Sequence, residues 1–75
     1  MDDNVKPPVG RRATISFSPR AVTDLDWLVE RTGFNQTDVA NRAVQIYALI
    51  ERNLAVGKKM GFIDSEGTVE RVTML

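Results

Sequence analysis

The sequence predicts a mainly α fold with short β segments, and three observations lead to that expectation. Residues 11–17 alternate as a strand does, residues 18–56 hold two capped amphipathic helices, and Asp64-Ser65-Glu66-Gly67 reads as a hairpin turn. The expected organisation is a flexible arm over residues 1–10, a strand–helix–helix domain over 11–56 and a β-hairpin extension over 57–75.

The strand comes first. Arg12, Thr14 and Ser16 fall on one side of it, and Ala13, Ile15 and Phe17 on the other. Period-two alternation belongs to a strand with one buried and one wet face. The wet face offers a guanidinium and two hydroxyls, groups able to hydrogen-bond base edges and phosphates. A polar strand face that merely meets water is the plainer reading, and the two helices after the strand decide between them.

Ser18 is a good N-cap for the first of these helices, and Pro19 stands at the first helical position, where its missing N–H is no loss. Val22, Leu25, Leu28 and Val29 recur at three- and four-residue spacing and form one apolar stripe. Gly33 stops the helix as a left-handed C′ residue. Asn35 caps the second helix, with Asp38 placed for a capping-box-like pair and for the helix dipole. Val39, Ala40, Ala43, Ile46, Tyr47, Ile50 and Leu54 share one side, widened by Val44 and Leu49. The helix is expected to reach about Ala55, and Gly57 to end it.

A lone strand needs a ladder, and residues 18–56 supply no partner strand. The simplest partner is the same strand of a second copy, antiparallel about a two-fold axis. The apolar face of the second helix is also wider than one short helix covers. A 75-residue chain with neither cysteine nor histidine has no disulfide or zinc site to supplement a small core. An obligate homodimer is therefore expected, with Ile15, Phe17, Leu25, Val39, Ala43, Ile46, Tyr47 and Ile50 as its core.

The run from Arg12 to Tyr47, about half the chain, resembles the ribbon–helix–helix repressors of the Arc/MetJ/CopG type. The resemblance lies in the order of alternating strand, Ser-capped helix, Gly turn and Asn-capped second helix. It implies an intertwined homodimer whose two strands form a ribbon that enters the DNA major groove. By that resemblance Arg12, Thr14 and Ser16 contact bases, and Asn35, Gln36 and Thr37 hold a phosphate at the start of the second helix. Arginine can take guanine O6 and N7 together, and threonine can touch a thymine methyl; Ser16 is shorter than the amides some members carry there. The function implied is a sequence-specific, autoregulatory transcriptional repressor, binding double-stranded DNA, with two dimers able to sit on tandem half-sites.

Charge bears on this through position. Ten basic and ten acidic residues leave no net charge, but Lys6, Arg11, Arg12 and Arg20 surround the strand, opposed only by Asp2 and Asp3. Lys6 and Arg11 are further candidates for phosphate contact, since phosphates supply affinity and bases supply choice. Residues 1–10, with Pro7-Pro8 and Gly10, read equally as an arm that reaches the duplex or as a plain tail. No cofactor or metal is expected, and no catalysis: histidine is absent, and Asp24 and Asp26 fall on roughly opposite sides of their helix. No apolar run is long enough to span a bilayer and the start lacks a signal-peptide shape, so a cytoplasmic location is expected.

Beyond Gly57, Lys58–Ile63 and Thr68–Leu75 read as strands about a type I turn with a bulge. Phe62, Ile63, Val69, Val72 and Met74 give the hairpin something to bury. Trp27, on the outer face of the first helix, is either a docking point for it or a lone exposed ring beside Arg31. Two rival readings stay open. One is a dimeric interaction module, an adaptor or antitoxin binding a protein partner through residues 57–75. The other is a helix-turn-helix over Leu28–Val44 reading bases with Gln36, Thr37 and Asn41, against which stand bulky Val29, charged Arg42 and no preceding third helix.

Overall fold

A computed structural model describes residues 9–73. Its elements, in order, are helix α1 (Pro19–Thr32), helix α2 (Gln36–Ala55) and strands β1 (Met60–Ile63) and β2 (Val69–Val72). The result is a small α+β fold of two helices and a two-stranded antiparallel hairpin.

The helix ends follow from the capping chemistry. The Ser18 hydroxyl accepts from the Ala21 N–H at 3.2 Å, with Pro19 at the first helical position. Gly33 adopts φ 74° and its N–H returns to the Val29 carbonyl at 3.0 Å. No side chain on a β-carbon takes that backbone comfortably. Asn35 caps α2 by accepting from the Asp38 N–H at 2.8 Å. Among the described residues Asp38 makes no reciprocal bond to Asn35, so only the forward half of the expected capping box forms. At the far end Gly57 donates to the Leu54 carbonyl and Lys58 to that of Asn53, the paired bonds of a Schellman cap.

The hairpin turn has the expected chemistry in shorter strands. Gly67 donates to the Asp64 carbonyl, Asp64 donates to that of Thr68, and Gly67 sits at φ 84°. The Asp64 carboxylate accepts from the N–H groups of both Glu66 and Thr68 at 2.9 Å. Pairing runs Met60–Val72, Gly61–Arg71, Phe62–Glu70 and Ile63–Val69. Lys58 and Lys59 therefore lie before the first strand, since Lys58 is still held by the helix cap. Met74 lies outside the described residues.

Residues 11–17 are where the expectation and the single chain differ. They hold no strand, because one chain supplies no ladder for them, and all of them are exposed. The expected core is likewise incomplete. Helix α1 packs on α2, and Leu25 and Val39, each 6% exposed, are the buried apolar side chains among the described residues. Ile50 is half-buried; Ile15, Phe17, Ala43, Ile46 and Tyr47 are exposed.

The two glycines that matter most differ in cause. A Cβ on Gly33 would meet nothing within 4 Å, so only backbone strain opposes it; one on Gly61 would press the Glu70 carbonyl oxygen at 2.9 Å. Gly33→Ala should therefore destabilise by about 1 kcal/mol and Gly33→Asn by less, seen as a lower urea midpoint at unchanged m-value.

Candidate nucleic-acid interface

The segment before α1 lines an open groove together with the start of α2. Ser18 fixes where the chain turns into α1, and the tight Gly33 cap brings the start of α2 back beside residues 11–17. Arg11, Arg12, Thr14, Ile15 and Phe17 share an open groove of about 990 Å³ with Gln36, Thr37, Ala40, Asn41, Val44 and Gln45. One wall is thus the alternating segment and the other is the first two and a half turns of α2.

Arg11 and Arg12 line the same groove as the first turn of α2. The N–H groups of Gln36 and Thr37 belong to the first turn of α2 and have no intrahelical acceptor. With the positive end of the helix dipole they can hold an anion. Asp38, in the same turn, already has its N–H taken by Asn35, and its carboxylate balances part of that positive end. The Asn35 Oδ1 is used in the same cap and Asn35 is absent from the groove lining, so the amides of Gln36 and Thr37 are the helix-start donors at the groove. The Asn41 side-chain amide donates one N–H to the Thr37 carbonyl at 2.9 Å and keeps its other N–H and its oxygen.

Of the residues singled out from sequence, Arg11, Arg12, Thr14, Gln36 and Thr37 are brought together, while Ser16 is absent from the groove lining. Lys6 lies outside the described residues. Ile15 and Phe17, 59% and 43% exposed, line the groove together with Ala13, Ala40 and Val44. Beyond it the open face of α2 continues through Ile46, Tyr47 and Leu49. Glu51, as hydrogen-bond partner and then as a nearby negative charge, pushes the Tyr47 phenol above its ordinary range, so it stays neutral.

Two contacts depart from the sequence reading. The cation–π pair among the described residues is Arg42 over Phe34, 4.1 Å from the ring centre, and not Arg31 over Trp27. Phe34 and Arg42 flank the α2 cap, two turns apart, and the only signal for the pair is an aromatic residue just before the N-cap. Trp27 is 61% exposed and Phe62 68% exposed, so within one chain the hairpin does not cover the indole. Among the described residues no helix is long and apolar enough to cross a membrane, and no cluster of three or more metal-ligating side chains occurs.

Arg42→Ala should remove the ring contact next to the α2 cap and lower stability by about 0.5–1 kcal/mol, with Arg42→Lys keeping part of it, as read from thermal melts. Compared with known proteins, this chain matches no family model, no curated protein and no solved structure.

Proposed function

We propose that the chain is a sequence-specific DNA-binding transcriptional repressor that works as an intertwined homodimer. Residues 11–17 of two copies pair antiparallel into a ribbon, and the ribbon enters the major groove with Arg12, Thr14 and Ser16 outward. The observation that carries the reading is the shared groove. Two arginines and a threonine of the alternating segment stand beside open helix-start amides at Gln36 and Thr37. A base-reading edge next to a phosphate-holding point is what fixing a duplex in register requires.

The same pairing answers the backbone problem of residues 11–17 and covers Ile15, Phe17, Ala43, Ile46 and Tyr47, which one chain leaves exposed. A local basic edge suffices in a chain of no net charge, because only the groups at the duplex need to be positive. Repression of its own gene, from the DNA upstream of it, is the regulatory role we assign. The helix-turn-helix alternative is weaker, since bulky Val29 and charged Arg42 stand where that motif wants a small and an apolar residue.

Two outcomes test the proposal. Arg12→Ala should weaken binding to the chain's own upstream operator by about 1–3 kcal/mol and relax choice at one base per half-site, measured by footprinting over a salt series. Equal binding by Arg12→Ala and the parent would refute the ribbon, and sensitivity at Gln36 and Asn41 instead would favour the helix-turn-helix. Ala43→Glu should place an unpaired carboxylate between the two α2 helices and abolish the folded dimer; a folded monomer of the parent at micromolar concentration in sedimentation would contradict the pairing.

A further inference from the structure

The hairpin has two free edges among the described residues, and they are built differently. The Asp64 N–H bonds the Thr68 carbonyl, so Asp64–Thr68 is a hydrogen-bonded pair and the pairs alternate from there. Phe62 and Met60 then turn their backbone groups inward to β2, while Gly61 and Ile63 turn theirs out from the free edge of β1. On β2 the outward residues are Val69 and Arg71.

Charge separates the two edges. Strand β2 carries Glu70 and Arg71 at its centre. Paired with itself about a two-fold axis, it would set Glu70 against Glu70 or Arg71 against Arg71, which is how natural edges are guarded. Strand β1 is Met60-Gly61-Phe62-Ile63, without a charge, and Phe62 and Ile63 are 68% and 71% exposed. An uncharged, open edge of this kind is normally covered.

We propose that the free edge of β1 pairs antiparallel with β1 of a second copy, joining two hairpins into a four-stranded sheet. The occupant is argued from self-complementarity. Centred on Gly61, the pairing sets Met60 opposite Phe62 of the other copy, a thioether against an aromatic ring, at both symmetric positions. It also brings Lys58, two residues before the strand, toward Asp64 of the other copy, whose carboxylate keeps one oxygen free while the other caps the turn. Centring one residue later would set Met60 against the Asp64 carboxylate and lose both pairs. The edge therefore fits a copy of itself in the register centred on Gly61. This contact uses no residue of the groove at α2, so it stands or falls separately from DNA binding.

The chain has no cysteine, so introduced thiols report cleanly. Full-length Met60→Cys and Phe62→Cys chains, each checked for folding by circular dichroism, are mixed and oxidised mildly. The mixed disulfide should form about tenfold faster than either homodisulfide, because opposed thiols share a high local concentration. Lys58→Glu in both chains should slow it at low salt, whereas Arg12→Ala should leave it unchanged. Homodisulfides forming as fast as the mixed species, or a rate indifferent to Lys58→Glu, would overturn the proposal.

Discussion

A single copy of this chain buries too little. Two apolar side chains, Leu25 and Val39, are sequestered among the described residues, while Ile15, Val44, Ile46, Leu49, Phe62 and Ile63 each stay more than half exposed. Apolar burial is the main term that offsets the conformational entropy of ordering a chain. The shortage therefore governs everything else, from the open segment at residues 11–17 to the two free edges of the hairpin.

Local chemistry is complete where global burial is not. Both helices are capped at both ends by the residues their sequences place there, and the hairpin turn satisfies its amides through Asp64. Such short-range devices depend on spacing along one chain, which is why Ser18, Gly33, Asn35, Gly57 and the Asp64–Gly67 turn were all legible in the sequence. The strand over 11–17 was legible as a pattern but has no ladder in a single chain, because its partner is not encoded nearby. The groove was half legible: alternation pointed to Arg12 and Thr14, whereas Ala40, Val44 and Gln45 enter only through the angle at which α2 returns. Arg42 over Phe34 was not legible, since nothing in a helical repeat says which ring an arginine will cover.

The proposed function links these parts in one economy of contacts. A ribbon made by two copies would satisfy the backbone of residues 11–17, cover the open face of α2 and turn Arg12 and Thr14 outward together. In that reading, the groove shared with Gln36 and Thr37 would bring phosphate-holding amides to the ribbon's reading edge. Folding, pairing and recognition would then be a single event, and Arg11 and Arg12 would supply local positive charge in a chain of no net charge. The hairpin adds a second, independent self-contact at the other end of α2, through an edge that lacks the charges guarding its neighbour.

The central claim is that residues 11–17 become a strand only on a second copy. Amide hydrogen exchange, resolved by residue and followed over a dilution series, tests it without DNA. Alternate amides from Arg12 to Ser16 should be protected at high concentration and lose protection together with the middle of α2 as the protein is diluted. Unprotected amides over 12–16 at every concentration, while α2 remains protected, would contradict the account.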